Sequence, residues 1–178
     1  APHYQRDDAA AVFRRQLALD LGGLGLTGLR IPETFGGQQA SAVVAGIAAE
    51  EVGRADFNAT YLIITSGLVS DIIVRNATVE QQRRWLPGIA SGELVPCICI
   101  TEPGAGTDAA SLQLRAIPDG ELGPDGIPTA WRLEGEKTSI TLGMTADGGV
   151  VLARTGGPGA RGVSAFWVDL DQPGVTRS

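Results

Sequence analysis

The chain is short of the residues from which many active sites are built. It has two cysteines, one histidine and one lysine, the last two being His3 and Lys137. A histidine next to the terminus, with no companion, supplies neither a Ser-His pair nor a His-rich metal set. With one lysine and no Gly-x-x-x-x-Gly-Lys pattern, a phosphate-cradling loop of that type is excluded. Cys97 and Cys99 stand two apart; in a strand they point the same way but lie about 6.5 Å apart along the chain. Two small core residues in a reducing compartment are therefore expected, with no disulfide and, for want of a second ligand pair, no metal site. Positive charge is scarce as well: 14 basic against 20 acidic side chains leave a net −6 and a pI near 4.7. The basic stripe that nucleic acid demands is missing. No apolar run is long. The most apolar stretch, residues 61–74, is interrupted by Thr65, Ser66, Ser70 and Asp71 and falls short of the roughly 20 residues a spanning helix needs, so a buried helix is expected and no membrane. The opening Ala-Pro-His-Tyr-Gln-Arg-Asp-Asp shows no secretory pattern and no initiating methionine. The expectation is a cytoplasmic protein whose chain starts partway into the gene product.

What the sequence does have is apolar content: 43% of its 178 residues are hydrophobic, which rules out collagen-like and disordered readings. This length fits one domain or pieces of two, with a core that needs no disulfide or metal.

The pattern changes near Gly92. Before it the period is helical. Phe13, Leu17 and Leu21 recur every fourth residue, with Gly22 placed to cap the end. A Gly-rich loop over 23–37 follows. Ser41 then caps a helix to about Val52, whose apolar stripe is Val43, Val44, Ile47, Ala48 and Val52. Residues 56–74 are apolar on nearly all sides, as a helix central to a bundle would be. Thr78 and Gln81 form a capping box opening a helix that stops before Pro87. After Gly92 come short β-type runs at 94–100, 112–117, 130–134, 150–153 and 163–170, separated by Asp-Gly and Gly-Gly-Pro-Gly turns. Helices followed by strands indicate an α+β fold: a helical bundle over 1–92, then an antiparallel β-barrel or sandwich-like domain over 93–178. The chain ends in what reads as the middle of a β region, so more is expected to follow.

The stretch Ile98-Cys99-Ile100-Thr101-Glu102-Pro103-Gly104-Ala105-Gly106-Thr107-Asp108 is the most informative. A strand enters a turn where Pro103 removes a donor and Gly104 and Gly106 let a ligand approach the backbone. Successive N–H groups can form a concave nest, with Thr101 and Thr107 adding hydroxyls. An electron-poor planar ring such as an oxidised flavin suits such donors, because reduction places negative charge on it. From the glycines alone, a tight turn with surface threonines is the favoured reading.

Four segments in order carry a resemblance: Ile31-Pro32-Glu33-Thr34-Phe35-Gly36-Gly37, the Thr101 to Asp108 turn, Gly135-Glu136-Lys137-Thr138-Ser139-Ile140-Thr141, and Pro173-Gly174-Val175. Together they resemble the acyl-CoA dehydrogenases over roughly residues 22–178. The resemblance implies a helical N-terminal domain, a middle β-domain against which FAD lies, and a C-terminal four-helix domain outside this chain. It implies flavin contacts at Ile98, Cys99, Ile100, Thr101, Gly106 and Thr107, with Thr101 bonding the ring near its reactive edge, and at Ser139, Ile140 and Thr141 in a second segment. Thr107 also meets the acyl-CoA. The implied reaction is α,β-desaturation of an acyl thioester, a carboxylate taking the α-proton while the β-hydrogen passes to the flavin as hydride. That base lies beyond Ser178 in the family, so the 178 residues alone are expected to be inactive. Electron-transferring flavoprotein is the implied acceptor and a homotetramer, or dimer of dimers, the implied assembly. Family members often carry an aromatic residue at the Ile98 position and tryptophan at the Ser139 position. Their loss here removes a stacking surface or opens room for a bulkier substrate, and the Lys-Thr-Ser-Ile-Thr form resembles the branch acting on alicyclic acyl-CoAs.

Arg161, in a Gly-rich loop, is a candidate for the CoA phosphates. Arg83 and Arg84 read as a solvated helix face, and Glu102 and Asp108 as local partners of backbone N–H groups rather than an acid–base pair. Trp131, Phe166 and Trp167 read as sheet residues. Acyl-CoA oxidases and flavin monooxygenases share the scaffold, and rapid reoxidation by air would mark them. A non-catalytic binding or assembly subunit is the remaining alternative.

Overall fold

The computed structural model describes residues 4–178, so His3 lies outside the described residues. The chain begins with five helices, α1 (Tyr4–Ala9), α2 (Arg15–Gly23), α3 (Ala42–Ala55), α4 (Phe57–Asn76) and α5 (Val79–Ser91). Each well-formed start has a sequence cause. The Ser41 hydroxyl accepts from Val44 N, the Asp56 carboxylate from Asn58 N and Ala59 N, and Thr78 with Gln81 makes both bonds of the capping box. Helix α4 runs for 20 residues, longer than the apolar stretch alone indicates. By length and composition it could cross a membrane, but half of that window is buried inside the protein. It packs against α3, α5 and the first strand.

Two helix ends differ from expectation. Gly22 is not a cap: α2 continues past it to cap at Leu24, and a Cβ on Gly22 would meet Ser91 O at 2.0 Å. It is glycine because the end of α5 crosses there. Helix α5 does not stop before Pro87 but carries it inside, on an exposed position. Burial of Trp85, Leu86, Ile89 and Ala90 on the opposite side outweighs the lost N–H. The α3 stripe is corrected too, since Val43, Val44 and Ile47 face solvent and only Ala49 of that helix is buried.

Five strands follow: β1 (Pro96–Cys99), β2 (Arg115–Leu122), β3 (Pro128–Glu134), β4 (Gly148–Arg154) and β5 (Val163–Asp169). They form one mixed, open sheet, which corrects the antiparallel barrel. β1 pairs with β4 in parallel from Pro96↔Gly148 to Cys99↔Val151, and β2 meets the far end of β4 in parallel at Arg115↔Arg154. β2 and β3 form an antiparallel hairpin, and β5 pairs antiparallel along all of β4. Short strands and tight turns specify local hairpins, but the parallel β1–β4 pairing joins segments about fifty residues apart, and no local signal encodes it.

Helices and sheet share a core. Ile31, Val69, Ile73, Trp85, Leu86 and Ile89 bury Val150 of β4, with Ile98 and Trp167 packed on the same cluster. Trp85 stacks on Trp167 at 4.7 Å between ring centroids. On the other side of the sheet Cys97, Cys99, Leu114, Ala116, Val151 and Leu170 form a second cluster, to which Ile140 adds.

Candidate functional site

Strand β1 delivers the chain directly into the turn after Ile100. Two backbone bonds close that turn: Glu102 N donates to Ala105 O at 2.8 Å, and Ala105 N donates to Glu102 O at 3.1 Å. These use the amides of Glu102 and Ala105 and leave Pro103, Gly104, Gly106 and Thr107 exposed. Among the described residues the amides of Gly104, Gly106 and Thr107 find no acceptor in the chain, and the hydroxyls of Thr101 and Thr107 no partner. Nothing stands within 4 Å of a Cβ placed on Gly104, and only Thr101 Cγ2, at 3.9 Å, near one on Gly106. The turn is a donor-rich surface with open space over it.

The second segment lies alongside. Thr138 N donates to Thr101 O at 2.9 Å, and Lys137 Nζ donates to Ile100 O at 3.0 Å. This brings Thr101 beside Thr138, 37 residues away in sequence, with Ser139, Ile140 and Thr141 next along the chain. Ser139 and Thr141 are exposed with hydroxyls that find no partner among the described residues, while Ile140 turns partly into the second core cluster. Ser139 and Leu142 hold left-handed backbone at φ 54° and 63°, a conformation side chains resist.

Beneath both segments lies a buried ion pair. Lys137 Nζ sits 2.8 Å from Glu102 Oε1, with the two side chains 7% and 6% exposed. Glu102 Oε2 accepts from Gln113 N at 2.6 Å and Oε1 from Leu114 N at 2.9 Å. Burial pushes the Glu102 carboxyl up, but the Lys137 hydrogen bond and the two amides outweigh it and hold it below the usual carboxylate range. Glu102 is thus a local partner of backbone N–H groups and not a free acid.

Of the remaining sequence candidates, Ile98 packs its side chain into the shared core and Cys99 is buried beside Cys97, with their sulfurs 3.6 Å apart. That contact and burial push the Cys97 thiol up. A ligand at this strand therefore meets backbone and not these side chains. Among the described residues no three metal-ligating side chains gather. Arg161 is exposed, with no partner among the described residues, on the 3₁₀ turn Ala160–Gly162, which lies against the turn Ala109–Ser111 just past Thr107 and Asp108. Arg84 is exposed, 3.4 Å from Asp169. Sequence reasoning missed Arg154. Its guanidinium donates to Leu112 O, Ala110 O, Gly157 O and Gly159 O, fixing both walls of a groove of about 550 Å³ that also includes Asp108, Ser111 and Gln113. No motif marks it. Lys137 could have been found, as the one lysine of the chain within a motif.

The donor set fits a flavin: free amides and threonine hydroxyls, no competing carboxylate at the turn's tip, and open space for a flat ring. The family models match in the same place, with the acyl-CoA dehydrogenase N-terminal domain over residues 1–93 and the acyl-CoA dehydrogenase middle domain over 97–178. The chain belongs to the acyl-CoA dehydrogenase family. It is similar to mitochondrial isobutyryl-CoA dehydrogenase of Dictyostelium discoideum, 31% identical over 98% of this chain and 40% of that protein. The crystal structure of a glutaryl-CoA dehydrogenase from Mycobacterium smegmatis in complex with FADH2 matches at a TM-score of 0.84 and 30% identity, over 97% of this chain and 42% of the other. A chain of the structure described as the electron transferring flavoprotein of Acidaminococcus fermentans matches at 0.85 and 32%, over 98% and 44%. The chain thus spans about two fifths of the length of these acyl-CoA dehydrogenase relatives.

Proposed function

We propose that this chain forms the FAD-facing part of an enzyme that oxidises an acyl-CoA thioester to its α,β-unsaturated product. The observation that carries the proposal is the pairing of two segments, through Thr138 N and Thr101 O, whose amides and hydroxyls at Gly104, Gly106, Thr101, Thr107, Ser139 and Thr141 have no partner among the described residues. Thr101 and Thr141 donate to the ring, and the exposed amides of Gly106 and Thr107 complete the donor set. FAD, when bound, supplies the two-electron acceptor for the β-hydrogen. Thr107 and Arg161, on neighbouring turns, hold the acyl-CoA. The base that takes the α-proton is assigned to the part of the relatives' length that this chain does not span. A reducing, cytoplasmic setting, a homotetrameric assembly and an electron-transferring flavoprotein as acceptor belong to the same proposal. The first is supported by two free thiols lying in contact, the others by the family.

The test is the visible spectrum of the purified full-length gene product, followed by turnover with a panel of straight, branched and alicyclic acyl-CoAs. Flavin bands and a dye-coupled desaturation are expected. A colourless protein that takes up no added FAD overturns the proposal.

A further inference from the structure

Glu102 and Lys137 are not among the proposed flavin contacts, yet both side chains are more than nine-tenths buried. Taking two charges out of water is unfavourable unless the remaining lone pairs and protons find partners. Here the carboxylate oxygens and two of the three ammonium protons do, and the partners come from three separate stretches of chain. The Glu102 carboxylate accepts from Gln113 N, Leu114 N and Lys137 Nζ, and Lys137 donates in addition to Ile100 O. The next bond along is Thr138 N to Thr101 O. Every one of these bonds spans eleven residues or more, and none belongs to a helix or a strand ladder. If stability were the only gain, a pair of well-packed apolar side chains would serve as well. What apolar groups cannot supply is a directional set of bonds that fixes one loop segment against another.

We propose that Glu102 and Lys137 are positioning residues, a buried clamp that holds the Thr101 turn and the Thr138 to Thr141 segment at the one spacing that lets both meet the same flavin ring. The inference rests on the flavin reading above. With the clamp opened, Thr101 and Thr141 lose their fixed separation, and the ring is held by one segment at a time.

The test uses the full-length gene product with Glu102→Gln, Lys137→Met and the double variant, and Arg54→Met, which breaks an exposed pair with Glu51, as control. FAD affinity is read from quenching of flavin fluorescence, and backbone opening from amide hydrogen exchange at Gln113, Leu114 and Thr138 against the amides of α4. Each single variant should weaken FAD binding roughly tenfold or more and speed exchange at Thr138 by a similar factor, because a hydrogen bond to a charged group is lost and its partner left buried. The double variant should be no worse than the worse single, and α4 should keep its protection. Lys137→Arg, which keeps the charge, should recover part of the affinity. Wild-type FAD affinity in the clamp variants overturns the proposal, as does unchanged exchange at Thr138. Loss of α4 protection in step with FAD loss also overturns it, because the pair is then holding up the whole fold. A wild-type protein that neither holds nor takes up FAD sinks the flavin reading instead, while the exchange data still show whether the clamp joins the segments.

Discussion

Ser139 and Leu142 stand three residues apart in the second site segment, both in left-handed backbone at φ 54° and 63°. An L side chain in that region costs about 1–2 kcal/mol, so the surrounding bonds hold the loop there, among them Gly143 N to Ile140 O and Ala146 N to Leu142 O. Such strain is found where a site over-determines its backbone. Ser139→Gly should leave stability unchanged or raise it by up to about 1 kcal/mol, the strain relieved being partly offset by backbone entropy. Ser139→Val should lower it by about 1–2 kcal/mol. Urea unfolding of both variants checks the order, and the reverse order would show that the loop relaxes on substitution. Glu102 gives a pH signature. Its carboxyl is held below the ordinary carboxylate range in the folded protein, so its contribution is fully present above the unfolded-state value of about 4.3 and is lost as pH falls through the folded value. The stability gap between wild type and Glu102→Gln, by urea titration, should be widest near neutral pH and shrink in acid. A gap that widens in acid would reverse the sign. At this scale the turn with Thr101 and Thr107 stands out by residue type and spacing, and Ser139 and Thr141 only through the family resemblance; the structure sets the two segments side by side through the bond from Thr138 N to Thr101 O. The Glu102–Lys137 pairing was not legible, since 35 residues separate the partners and only the folded chain brings them together.

Helix starts were more legible than helix ends or faces. The caps at Ser41 and Thr78 act through side chains three residues from their targets, and such local chemistry is written in order along the chain. A stripe such as Val43, Val44 and Ile47 shows that a helix has an apolar side but not whether anything in the chain covers it; these three are 70%, 49% and 57% exposed. A groove of about 640 Å³ between α3 and α4 is lined instead by Ala45, Gly46 and Ala49 with Ile64 and Leu68. Glycines show the same limit. Gly22 and Gly46 both lie inside helices, and their sequence contexts do not separate them, yet a Cβ on Gly22 would collide with Ser91 O while one on Gly46 meets nothing within 4 Å. Gly46→Ala should therefore stabilise the protein by about 0.5–1 kcal/mol through helix propensity. Gly22→Ala should destabilise it by about 1–3 kcal/mol or more, because α2 and α5 must move apart. Thermal melts of the two variants should shift in opposite directions. A shift of the same sign in both would mean that the crossing can open without cost.

Across the molecule, helices and sheet are joined by a shared core and by polar contacts, the densest of them at Asp147. Asp147, just ahead of β4, accepts from Arg15 of α2 at 2.5 Å and from Val95 N at 2.7 Å, and its own backbone bonds Val95 and Leu170. Arg15 also bonds Glu93 O. Composition and turn chemistry revealed a helical part and a strand part, but not this joining, because the parallel pairing of β1 with β4 and the stack of Trp85 on Trp167 both link the chain across long separations. The consequence is cooperativity. The cluster around Trp85 takes residues from α4, α5 and β4 at once, so neither part can unfold without exposing the buried face of the other. Far-UV circular dichroism, which follows the helices, and tryptophan fluorescence, which follows Trp85, Trp131 and Trp167, should therefore report one coincident transition in urea. Trp85→Ala, at a site only 9% exposed, should cost about 3–5 kcal/mol and move both probes together. Two separated transitions, or a fluorescence midpoint that shifts while the helical signal stays put, would show that the sheet and the helices stand independently and that the shared cluster is a contact between two folded units.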